Sequence, residues 1–115
     1  LKTLETIKQH THKRGFLREL TQIFCDDADR IWARFEEAEQ HQDWAQLEYL
    51  AHRLRGAALN IGADDVAQQC ARLESLVNSN RGQAEIHSVL NKISQQLDHA
   101  RNELRRYVFR EKGST

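Results

Sequence analysis

Apolar residues recur along this chain in steps of three and four, the spacing that places them on one face of an α-helix. The longest run is Leu17, Leu20, Phe24, Ala28, Ile31, Phe35 and Ala38, enough for more than about five helical turns. Upstream, Leu4 and Ile7 lie one turn apart and predict a short helix over residues 2–10, closed by a polar stretch at 11–15 that ends in Gly15. Downstream, Asp43 can cap a new helix, and Gln46 three residues later would complete a capping box. The stripe of that helix is Leu47, Leu50, Ala51, Leu54, Ala58 and Ile61, and Gly62 supplies the residue that helices favour just past their last turn. Asp64 and Asp65 put negative charge at the start of a further helix, where the backbone dipole favours it. Its stripe is Val66, Cys70, Leu73 and Val77, before a break at 78–82. The last helix reads Ile86, Leu90, Ile93, Leu97, Ala100, Leu104 and Tyr107, a repeat of seven. Residues 111–115 are expected to form a frayed tail.

Amphipathic helices joined by short polar connections must run antiparallel to their neighbours in sequence, because such loops cannot carry the chain back along a helix. The pattern therefore predicts an all-α fold: an antiparallel up-down-up-down four-helix bundle with a short N-terminal helix, one domain over residues 1–110. An extended coiled coil is the weaker reading, since turn signals recur roughly every 20 to 30 residues. The absence of proline and the presence of only five glycines in 115 residues leave little to interrupt long helices. A chain of this length can bury one core without disulfides or a structural metal. Cys25 and Cys70 fall within helical patterns and form no CxxC pair, which suggests buried thiols in a reducing compartment and hence a cytoplasmic location. Seventeen basic and seventeen acidic residues balance, so no whole-molecule field favours nucleic acid or an anionic membrane. No apolar stretch approaches the length of a membrane span or a secretory signal. Methionine is absent even from position 1, and the sequence is expected to be part of a longer protein.

The stretch that carries chemistry surrounds His52. At about 100° per residue, Leu47, Ala51, Leu54, Ala58 and Ile61 share a narrow arc, whereas His52 projects roughly 140° from Leu47 and should be exposed. Glu48, Arg55, Gly56 and Leu59 are its neighbours on the helix surface. Gly56 occupies a helix interior, where glycine costs about 1 kcal/mol relative to alanine. A missing side chain there uncovers the ring and lets another protein's backbone approach closely, as in-line transfer onto a ring nitrogen requires. Arg55 carries a permanent cationic fork that matches phosphate geometry. An ordinary histidine is largely neutral near pH 7, and the neutral ring is the nucleophilic form. His10, His12, His41, His87 and His99 lack such a set of neighbours and read as solvated surface. His10 and His12 point to different helix faces, and no metal site is expected.

The segment resembles the histidine-containing phosphotransfer family, whose motif is matched by His52, Leu54, Arg55, Gly56, Ala57, Ala58, Gly62 and Ala63. The resemblance implies a four-helix bundle that accepts a phosphoryl group on His52 from a receiver-domain aspartate and passes it to another. It maps the family's basic partner onto Arg55 and its ring-facing Glu or Gln onto Glu74. Ala45, Leu59 and Gly56 would form an apolar docking patch for a receiver helix, with Glu48, Arg53 and Arg55 around it. The domain would bind no cofactor, Mg²⁺ belonging to the receiver, and would act as a monomeric carrier without kinase activity. The C-terminal module of a membrane-anchored hybrid sensor kinase is the expected context, a stand-alone carrier the alternative. A histidine kinase dimerisation domain fits less well, because Arg53 rather than an acid follows His52 and no proline or nucleotide-binding glycine motif is present. A purely structural dimerisation bundle would leave the His52, Arg55 and Gly56 set without a purpose.

Overall fold

The computed structural model of the protein describes residues 14–79 and 82–113. Four α-helices account for nearly all of them: α1 (Arg14–Gln40), α2 (Trp44–Ile61), α3 (Asp64–Asn78) and α4 (Gln83–Gly113). The helix expected over 2–10 and the pair His10 and His12 lie outside the described residues. Two boundaries differ from expectation. Helix α1 already includes Gly15, and α4 continues to Gly113, into the segment expected to fray. One glycine costs only about 1 kcal/mol in a helix and does not by itself end one.

Among the described residues each helix backbone lies close to two neighbours, α1 to α2 and α4, and α3 to α2 and α4, while the diagonal pairs stand further apart. This is the square arrangement of an antiparallel bundle, and the predicted stripes fill its centre. Phe24, Ala28, Ile31, Phe35 and Ala38 meet all six stripe residues of α2, together with Val66, Cys70 and Leu73 of α3 and Ile86, Leu90, Ile93, Leu97, Ala100 and Leu104 of α4. Ala67 and Val89 join them. Leu20 and Val77 sit only half-buried at the margin. Both cysteines are free, buried thiols. No described helix is long and apolar enough to cross a membrane.

The ends of α2 are fixed from the sequence. Asp43 accepts a hydrogen bond through Oδ1 from the Gln46 amide at 3.2 Å. The reciprocal arm of the expected capping box does not form, because the Asp43 amide donates to the Ala38 carbonyl at 2.9 Å and needs no side-chain partner. At the other end Gly62 adopts φ 77°, the left-handed region open to glycine. Ala63 N–H donates to the Ala58 carbonyl at 2.8 Å and Gly62 N–H to that of Leu59 at 3.2 Å, the paired bonds of a Schellman stop. Helix α3 starts at once, with Asp64 and Asp65 in its first turn. This tight turn fixes the register of α2 against α3. His52 lies ten residues before Gly62 and Glu74 eleven after Ala63, so the two are level, about 15 Å from the turn.

Candidate functional site

His52 projects from α2 with 76% of its side chain exposed, and its Nδ1 lies 3.1 Å from Oε1 of Glu74 on α3. Glu74 is only 16% exposed, its carboxylate held at the seam between the two helices. An ionised carboxylate can only accept, so in the neutral ring this bond assigns the proton to Nδ1 and the lone pair to Nε2. In that tautomer Nε2 carries the lone pair of a ring that is largely exposed.

The other oxygen of Glu74, Oε2, faces Nη1 of Arg55 at 3.4 Å, a loose ion pair rather than a short hydrogen bond. Arg55, Glu74 and His52 thus form a three-membered chain across the α2–α3 seam, with Glu74 in the middle. Cys70, one turn before Glu74, offers no competing nucleophile. Burial, reinforced by the Glu74 charge and opposed by Arg55, pushes its thiol up to about 12. It therefore stays protonated at neutral pH.

Gly56 is exposed, and a Cβ built on it would meet nothing within 4 Å. The chain's own packing therefore does not require glycine here. The space lies on the outside, one turn along the helix from the His52 ring.

The expected docking residues divide by flank. Ala45 and Leu59 are exposed on the same ridge as His52 and Gly56, since positions 45, 49, 52, 56 and 59 are spaced four and three apart and share one face of a helix. Glu48 is half-buried beside that ridge. Arg53 turns the other way and donates to Oδ1 of Asp27 on α1 at 3.1 Å. Sequence reasoning missed Tyr49, which stands 55% exposed on the ridge, as Leu59 stands 49% exposed. Its position three residues before His52 was the available signal.

Two of the histidines expected to be simply solvated have carboxylate partners. His87 Nδ1 lies 2.7 Å from Glu39 Oε2, linking α4 to α1, and His99 Nε2 lies 3.1 Å from Glu103 Oε1. Neither has an arginine and a glycine one turn away, as His52 has. Among the described residues no group of three or more His, Cys, Asp or Glu side chains is arranged to hold a metal ion.

The fold matches solved structures closely. It superposes on a rice protein described as a histidine-containing phosphotransfer protein with a TM-score of 0.88 and 19% identity, covering 99% of this chain and 84% of that one. A histidine-containing phosphotransfer protein from maize matches with a TM-score of 0.87 and 22% identity, covering 99% of this chain and 83% of that one. No curated protein sequence matches the chain significantly. The family model of the Hpt domain matches residues 19–108, most of the chain. The chain belongs to the Hpt domain family.

Proposed function

We propose that His52 is the residue on which this phosphorelay carrier of two-component signalling holds its phosphoryl group. The observation that carries the assignment is the bond from Nδ1 to Glu74, which leaves Nε2 as the free nucleophile on an exposed ring. In the forward step the Nε2 lone pair attacks the phosphorus of a receiver's aspartyl phosphate. The N–P bond forms as the P–O bond to the aspartate breaks, and the carboxylate leaves with that bond's electron pair. Delivery is the reverse step onto another receiver. Arg55 is placed to neutralise charge on the phosphoryl oxygens, and catalysis of such transfers is largely positioning and charge neutralisation.

Receiver domains, of response regulators or of a parent hybrid kinase, are the partners. They dock on the ridge of Ala45, Tyr49, His52, Gly56 and Leu59, where apolar side chains flank the nucleophile and polar Glu48 and Arg53 form the rim, as suits a transient interface. Mg²⁺ belongs to the receiver, and the domain works as a monomer with no cofactor of its own. The free buried thiols Cys25 and Cys70 support a reducing, cytoplasmic setting.

The test is incubation with a phosphorylated receiver, followed by mapping of acid-labile, base-stable phosphate. Phosphate is expected on His52 and absent from His52→Gln, whose helicity should be unchanged because the ring is exposed. Full phosphorylation of that variant would reject the assignment.

A further inference from the structure

The contacts of Glu74 reach beyond orientation of the free ring. Attack by Nε2 on phosphorus, with the proton still on Nδ1, gives a phosphorylated ring that bears a positive charge. Loss of that proton leaves the ring itself neutral, so that it would have to depart as an anionic imidazolate, a poor leaving group. Transfer to the next aspartate needs the protonated form, from which the ring departs as neutral imidazole. Whatever holds the proton on Nδ1 after phosphorylation therefore controls how readily the group is passed on.

We infer that Glu74 is a positioning residue for the phosphorylated state: its Oε1 keeps the proton on Nδ1 of phosphohistidine while its Oε2 releases Arg55 to the phosphoryl oxygens. This rests on the assignment of His52 as acceptor. The geometry favours it in two ways. Nδ1 already donates to Oε1 at 3.1 Å from a carboxylate that is largely withdrawn from solvent, where its charge is weakly screened. The contact from Oε2 to Arg55 is longer, 3.4 Å, and Arg55 is itself half-exposed. A dianionic phosphoryl group on the adjacent nitrogen competes strongly for the guanidinium. Once Arg55 leaves, both the carboxylate charge and the phosphoryl charge favour the ring cation. A glutamine at position 74 could keep the hydrogen bond but not the charge, and it could equally donate to a deprotonated Nδ1. Glutamate is thus the choice that stores the phosphoryl group in a reactive form. Besides Glu74 from α3, the charged residues one turn from His52 on α2 itself are Glu48 and Arg55, and Arg53, next in sequence, is turned to Asp27.

The experiment uses the whole chain, loaded with phosphoramidate as donor and then freed of it. Phosphate is mapped first. The Nδ1 protonation of phospho-His52 is then followed against pH by ¹⁵N-detected NMR, alongside the rate of transfer to an isolated receiver. The variants are Glu74→Gln and Arg55→Gln, with circular dichroism to verify the bundle. Glu74→Gln should lower the pH at which the ring proton is lost by about one unit and carry the alkaline fall in transfer rate down with it. Arg55→Gln should move the same midpoint upward, because it removes the positive charge that partly neutralises the phosphoryl group beside the ring. Equal midpoints in wild type and Glu74→Gln, with phosphate on His52 in both, would overturn this inference and leave the acceptor assignment intact. Phosphate found elsewhere than His52 would overturn both.

Discussion

Gly56 offers the sharpest separation of folding from function, because the two demands on it have opposite signs. The position lies in the interior of α2, is exposed, and has open space where a side chain would begin. Nothing in the bundle would resist an added methyl group. Gly56→Ala should therefore stabilise the domain by the helix-propensity difference, about 1 kcal/mol, part of it from a less flexible unfolded chain. For a domain of this size that corresponds to a rise in melting temperature of about 4 °C. Gly56→Phe should fold as well, since its ring extends into solvent, yet it would cover the approach to Nε2 one turn away. A receiver that must bring its aspartyl phosphate in line with Nε2 should then transfer at least about tenfold more slowly, equivalent to about 1.4 kcal/mol in the barrier. Urea unfolding followed by circular dichroism gives the first quantity, and time courses with a phosphorylated receiver give the second. A destabilised Gly56→Ala would mean that the glycine serves the fold. Unaltered transfer by a folded Gly56→Phe would remove close approach as its reason.

Three further outcomes are expected. Arg55→Ala should shift the phosphoryl partition toward the receiver by about 1 kcal/mol, a modest figure because the side chain is partly exposed and screened; Arg55→Lys should recover most of it if charge alone matters and little if the planar fork is needed, and three equal partitions would remove Arg55 from the site. Tyr49→Asp and Leu59→Asp, on either side of His52, should each weaken receiver binding about tenfold by titration while leaving thermal unfolding nearly unchanged, since both are exposed; unchanged affinity in both would move the docking face off this ridge. Burial holds the Cys70 thiol neutral up to about pH 12, whereas in the unfolded chain it ionises near pH 9. The unfolded state therefore loses a proton that the folded state keeps, and stability falls as pH rises between those values; urea unfolding of Cys70→Ala across this window should show a slope shallower by up to about 1.4 kcal/mol per pH unit, and equal slopes would refute the shift.

The bundle was legible in the sequence because its stripes are long and their period unambiguous. Phe24 to Ala38, Leu47 to Ile61 and Ile86 to Leu104 all lie in the core where a step of three and four puts them. The exposure of His52 was legible for the same reason, as rotation about α2 alone carries it off the stripe. Gly62 and Asp43 also act as local rules predict. What could not be read were pairings between helices. The bond from His52 to Glu74 depends on the register set by the turn at Gly62 and Ala63, and only the family resemblance pointed to it. The pairs Arg53 with Asp27 and His87 with Glu39 require the helices' rotations and the side chains' rotamers, neither of which a periodicity contains. Gly15 misled because glycine is a common helix terminator, yet a helix whose apolar face is long can accommodate one.

The orientation of the reactive ring follows from a comparison of magnitudes on α2. Two arginines on either side of Leu54 reach in opposite directions, Arg53 to Asp27 on α1 and Arg55 to Glu74 on α3, like two stays on a mast. In each pair the arginine is nearly half-exposed and screened by solvent, so the pair is worth only about 0–1 kcal/mol, too little to decide how the helix is turned. Opposite them, Leu47, Leu50, Leu54 and Ile61 are essentially fully buried, each contributing about 1.5–3 kcal/mol by its removal from water. A rotation of α2 by one residue, about 100°, would expose that set and draw His52 toward the core. Burial therefore fixes which way the ridge faces, and the ion pairs are free to respond to chemistry. On the mechanism proposed above, that division would let Arg55 exchange Glu74 for a phosphoryl group without loosening the fold: the contact that would break on transfer is among the weakest on the helix, and the burial that orients His52 is among the strongest.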